Sequence, residues 1–201
     1  KAKNQIGTGL DLGVEYLNGV NILLDWAQSW DPTAVEHKDE ISGYIAKLEG
    51  YRVDLNKAET KAAIFKVSND VRSEWNSIRA DVKRITGEIL AAKINLSLTQ
   101  GQAALNKVDR IIQERRAYQD VSTLEALYAD ASEKYVRAEA DYESAKNIFE
   151  TVNDVPSGNA LYNQGHEFLR SANNYLTGLY QDLKQVQREL ARARMLQGVK
   201  K

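Results

Sequence analysis

The chain has 201 residues, with 43% hydrophobic and 27% charged side chains, a balance that supplies a core and excludes wholesale disorder. Its 27 basic and 28 acidic residues leave a net charge of −1, which excludes a global field drawing the protein onto nucleic acid. Cysteine is absent, which excludes disulfides, thiolate zinc sites and a cysteine nucleophile.

Only two prolines, Pro32 and Pro156, interrupt a chain rich in Ala, Glu, Lys, Leu and Gln, so long helices are favoured. The pattern predicts an all-α protein of about six helical segments, at 5–29, 33–67, 71–97, 100–117, 122–152 and 157–197. The first segment carries Gly7, Gly9, Gly13 and Gly19, each weakening a helix by up to about 1 kcal/mol. Four such residues beside large apolar ones suggest close packing or a partner. Leu17, Trp26 and Trp30 are the candidate interaction surface, because aromatic residues supply much contact area for little entropy.

Asp31-Pro32 starts the second segment with a cap and a first-turn proline. Its seam, Ile41, Tyr44, Leu48, Tyr51, Leu55, Ala58, Ala62 and Phe65, alternates by three and four residues, as bundle helices do. "EHKDE" at 36–40 reads as an acidic first turn around His37, favoured by the helix dipole. Asn69-Asp70 then predicts a reversal, since Asn tolerates the left-handed region and Asp caps a new start.

The third segment runs on Val71, Trp75, Ile78, Val82, Ile85, Ile89, Ala92 and Leu96. Near Ser97–Gly101 the seam changes phase, and Thr99-x-x-Gln102 offers a cap for a fourth segment; one continuous helix from about 71 to 117 is the alternative. Ser122-x-x-Glu125 is a capping box for the fifth. There an aromatic ring returns every seven residues, at Tyr128, Tyr135, Tyr142 and Phe149, with Ala131, Ala138 and Ala145 three positions on. Rings on one seam and alanines on the other predict core packing, with Tyr135 and Tyr142 mostly buried; a ladder that stacks a ligand is the competing reading. A second reversal is predicted at Asn153-Asp154, reinforced by Pro156 and Gly158. The last segment has the cleanest seam: Leu169, Ala172, Leu176, Leu179, Leu183, Val186, Leu190 and Ala193.

"FKVSNDVRS" at 65–73 matches "FETVNDVPS" at 149–157, and the same offset pairs Tyr44 with Tyr128 and Tyr51 with Tyr135. This predicts a duplication: an elongated antiparallel bundle of two related three-helix copies, 1–98 and 99–201. In outline such a chain resembles spectrin-type repeats, and Trp75-x-x-Ile78 is similar to a helix start of that family.

Convergent chemistry is scarce. Glu-x-x-His, the di-iron bundle motif, fails at both histidines: position 34 is Ala34 and position 163 is Asn163. His166 is expected to face solvent. No phosphate-cradling, nucleophile-elbow or zincin motif occurs, so no catalytic residue, metal or cofactor is expected. Lys184, Arg188, Arg192, Arg194, Lys200 and Lys201 make a basic tail, which complements a helix dipole or touches a membrane surface.

The sequence therefore predicts a non-catalytic module for protein–protein interaction or structural spacing. An extracytoplasmic ligand-sensing or adhesin-type domain and an amphipathic lipid-surface protein are the alternatives. A protein partner is expected, and nucleic acid is not. Absent cysteine and a first residue other than Met point to an extracytoplasmic or cell-surface location, with the cytoplasm as alternative.

Overall fold

The computed structural model describes residues 1–151 and 155–198, with side chains described for 1–151 and 159–193. The described residues form five helices and no strand: α1 (Ala2–Ala27), α2 (Ala34–Lys57), α3 (Lys61–Arg115), α4 (Ser122–Glu150) and α5 (Val155–Gly198). None is long and apolar enough to cross a membrane. The all-α prediction is met, with five helices rather than six.

The α1–α2 link follows its sequence signal. Asp31 is buried, and its Oδ1 accepts the Thr33 N–H at 3.0 Å and the Thr33 hydroxyl at 2.7 Å. The next break falls at 58–60, where Ala58 turns extended and Thr60 Oγ1 accepts the Ala63 N–H at 3.1 Å, capping α3. Lys3 Nζ donates to the carbonyls of Asn56 and Ala58 at the end of α2, supplying orphan acceptors with a cation.

The predicted reversal at Asn69-Asp70 is overturned. Both residues are exposed inside continuous α3, where their side chains reach water and cost the helix well under 1 kcal/mol each. The counterpart at Asn153-Asp154 lies outside the described residues. The break expected near Ser97–Gly101 is also absent, so the continuous-helix alternative holds. Trp75 lies well inside α3, away from its start. At α4, Asp120 Oδ1 accepts the Ser122 N–H at 2.9 Å, while Glu125 pairs with Arg116 at 2.6 Å. Glu125 does not fold back onto Ser122 as the capping-box reading expected.

The helices group into two compact units that are not contiguous in sequence: Lys1–Leu90 with Ile148–Gln164, and Ala91–Asn147 with the chain from Gly165 onward. In the first unit α1 and α2 are antiparallel, tied by Asp11–Arg52 and Asp25–Lys38. Their seams Leu10, Leu17, Leu24 and Ile41, Leu48, Leu55 meet Ile78, Val82, Ile85 and Ile89 of α3 in one core. Phe149, fully buried, lies over Gly87 of α3. In the second unit Leu105, Val108 and Ile112 of α3 pack with Val121, Leu124 and Ala131 before and along α4 and with Leu179, Leu183 and Val186 of α5.

The phase slip in α3 has a structural counterpart. One seam ends at Ile89, while a second, at Ala80, Gly87, Ala91, Ile94, Leu98, Gly101 and Leu105, starts before it ends. The slip exchanges one buried face for another without ending the helix. Phe65, expected in the seam of the first copy, is 68% exposed, whereas its proposed counterpart Phe149 is fully buried.

Candidate functional site

Helix α1 has two apolar faces. Leu10, Gly13, Leu17, Val20, Leu24 and Ala27 recur at threes and fours and are all buried. Leu12, Tyr16, Ile22 and Trp26 form a second stripe, also spaced for one helical face, and are 62, 50, 71 and 49% exposed. Isolated exposed apolar residues are ordinary, but a contiguous stripe is not. Leu12 and Tyr16 of the stripe, with Glu15, Gly19, Leu23 and Thr86 of α3, line a shallow concavity of about 520 Å³.

Of the three residues singled out in the sequence, Leu17 is fully buried in the core, so its side chain is not available as a surface. Its spacing from Leu10 and Leu24 carried that information. Trp30 is half-buried against the same core, and Trp26 is on the outer stripe. The two indoles meet edge to face at 5.3 Å, with planes inclined by 77°. Tyr16 makes a similar contact with Trp75 at 6.1 Å. The rings of the stripe are thus positioned by packing on one side and open on the other.

The glycines divide in the same way. A Cβ on Gly13 would sit 3.1 Å from Leu48 Cδ1 and 3.3 Å from Trp75 Cζ3, so that glycine is closely packed inside the first unit. Gly7, Gly9 and Gly19 have nothing within 4 Å of the same position. Their helix-weakening effect has no counterpart inside the first unit.

A polar cluster joins α2 to α3. His37 is only 8% exposed, and Glu36 beside it stands in the first turn of α2 as the sequence reading expected. Its Nε2 lies 3.3 Å from Glu88, Arg84 reaches Glu88 at 3.0 Å and Glu40 at 3.2 Å, and the Tyr44 hydroxyl donates to Asp81 at 2.7 Å. The hydrogen bond to Glu88 raises the His37 pKa against the opposing effect of burial. Burial pushes the Glu88 carboxyl up, but His37 and Arg84 together outweigh it and hold it low. Burial, and then the bond to Asp81, pushes the Tyr44 phenol well above its ordinary range. Perturbed groups mark active sites when they face an opening; these face one another and fix the pairing of two helices. Among the described residues no group of three or more His, Cys, Asp or Glu is arranged to hold a metal. His166 is half-buried, not solvent-facing.

In the second unit, Ala131, Ala138 and Ala145 are fully buried, while Tyr128, Tyr135 and Tyr142 are half-buried at the rim. The alanine row is the core seam, and Tyr128 and Tyr135 pack against that core from its edge. The alanines let the neighbouring helices come close, which leaves the larger rings at the edge of the contact. Of the basic tail, Lys184 and Arg188 are exposed and Arg192 pairs with Glu189 at 2.6 Å. The side chains of Arg194, Lys200 and Lys201 lie outside the described residues.

Comparison of the chain with models of known families, with curated proteins and with solved structures finds no match in any of the three. The resemblance in outline to spectrin-type repeats gains no support from them.

Proposed function

We propose that this protein is a non-catalytic helical-bundle module that makes protein–protein contacts through the outer face of α1. The observation that carries the reading is the stripe Leu12, Tyr16, Ile22 and Trp26, exposed along a helix whose opposite face is already committed to the core. Burying a large apolar side chain is worth about 1.5–3 kcal/mol, so a partner covering four of them gains substantially. Gly19 lies within the stripe and lets a partner's backbone approach closely. The occupant that suits this shape is an amphipathic helix of another protein. A cysteine-free chain suits an extracytoplasmic setting. The two-copy organisation belongs to this proposal as ancestry, supported by the matched stretches at 65–73 and 149–157.

The experiment is affinity capture with the full chain, comparing the wild type with Leu12→Ser/Ile22→Ser. Both side chains are exposed, so the melting temperature stays within a few degrees while the captured partner is lost. A partner retained equally by the variant refutes the assignment.

A lipid-surface reading has one observation in its favour. A groove of about 600 Å³ between α3 and α5 has an apolar floor of Val108, Leu183 and Val186, and its charged lining residues are Lys107 and Lys184. Co-sedimentation with anionic phospholipid vesicles tests it; binding that survives Lys107→Glu/Lys184→Glu counts against this groove.

A further inference from the structure

The tyrosine row of α4 is not absorbed by the α1 surface, and the second unit gives it a different opposite wall. A groove of about 390 Å³ separates it from α3. The α3 wall is Asn95, Thr99, Gln102 and Asn106, whose spacing of four, three and four places them on one face beside the buried seam Leu98, Gly101 and Leu105. Positions flanking a bundle seam usually carry aliphatic groups or opposite charges. Here uncharged hydrogen-bonding groups face Tyr135 and Tyr142.

Two side chains of the wall are paired. Gln102 Nε2 donates to Asn106 Oδ1 at 2.9 Å, which leaves the Gln102 carbonyl as an acceptor beside the Asn106 amide as a donor. A neighbouring acceptor and donor match two vicinal hydroxyls. Across the groove the Tyr135 hydroxyl donates to Glu139 at 3.1 Å. That bond orients the carboxylate and leaves its second oxygen to accept from a ligand. Tyr135 and Tyr142 are seven residues apart, about 10.5 Å along the helix axis at 1.5 Å per residue, close to the length of two β-linked pyranose units. Half-buried rings present a flat apolar face, and a pyranose presents a flat face of C–H groups to stack on it.

We propose that this groove binds a neutral β-linked oligosaccharide, with alternate sugar rings, the first and the third, seated on Tyr135 and Tyr142 and hydroxyls held by Gln102, Asn106 and Glu139. Glu139 and Glu143 would also attract a polyamine. In an open groove that attraction is weak and screened by salt, whereas the amide wall offers neighbouring donors and acceptors that suit sugar hydroxyls.

The test is a titration of the full chain, followed by amide chemical shifts and calorimetry, with cellotetraose, chitotetraose and spermine as separate probes. The expected result is saturable binding of a tetrasaccharide at millimolar concentration or below, with shifts confined to 95–106 and 135–143. Gln102→Ala and Asn106→Ala remove partly or wholly exposed side chains, so they keep the wild-type fold and weaken the sugar tenfold or more. Absence of shifts with both sugars overturns the proposal, as does a response to spermine alone.

Discussion

Replacing Gly87 with alanine should destabilise the protein, although alanine is the better helix former. The gain from propensity is about 1 kcal/mol at most. Against it, a Cβ on Gly87 would lie 2.3 Å from Phe149 Cδ1 and 2.6 Å from its Cγ, distances at which something must move. Phe149 has no freedom to yield: it is fully buried and its ring lies 6.0 Å from that of Tyr162. Overpacking of this kind costs about 1–3 kcal/mol. Setting that gain against this cost leaves a net loss of up to about 2 kcal/mol, a fall in melting temperature of up to about 8 °C for a chain of this size. Urea unfolding followed by far-ultraviolet circular dichroism measures it. Gly43→Ala is the control, since nothing lies within 4 Å of its added Cβ, and it should gain up to about 1 kcal/mol. Phe149→Leu in the Gly87→Ala background should recover part of the loss, as neighbours that share a contact are not additive. If Gly87→Ala is as stable as Gly43→Ala, Phe149 does not lie over α3.

Three further outcomes are expected. The folded pKa of His37 is raised, so its contribution is fully present below the ordinary imidazole value of about 6.5 and is lost as pH rises through the folded value; Glu88, held low, contributes above the ordinary carboxylate range and loses that as pH falls. Denaturant melts across pH 5 to 9 should therefore show stability falling on the alkaline side of about 6.5 in the wild type and a flatter profile in His37→Gln; identical profiles would show that His37 is not paired. Thr60→Ala removes the side-chain cap of α3 and should cost about 1 kcal/mol in the same melts, whereas no change would place the helix start elsewhere. Ala138→Leu forces a large side chain into a fully buried alanine row and should lose about 1–3 kcal/mol, while Val136→Leu on the exposed face of the same helix stays within about 0.5 kcal/mol.

The helical class and most of the core were legible because alternation by three and four survives inspection of the chain alone. The seam residues Ile41, Leu48 and Leu55 of α2, and those of α5 from Leu169 to Val186, are buried where their spacing puts them. The break at 58–60 was not legible: Ala58 and Ala62 sit in phase with the seam, and no Gly or Pro marks the stop. Asn69-Asp70 gave the opposite error, because cap-forming residues are cheap in a helix when their side chains face water. The slip in α3 read as an end because one helix buried on two faces in succession leaves the same trace as two helices. His37 could not be placed, since its partner Glu88 lies on another helix 51 residues away. At the candidate site, the glycines and Trp26 were visible in sequence. The outer stripe of Leu12, Tyr16 and Ile22 emerged only when the buried face of α1 was known.

The most direct measurement of the central claim is site-specific photo-crosslinking with benzoylphenylalanine at Ile22 and, separately, at Val136, in cells that make the protein. The two positions are 71 and 61% exposed and similarly apolar, but only Ile22 belongs to the α1 stripe. The account predicts a discrete protein adduct from Ile22 that disappears when Trp26→Glu is added, and none from Val136. Equal adducts from both positions, or an Ile22 adduct indifferent to Trp26→Glu, would contradict it.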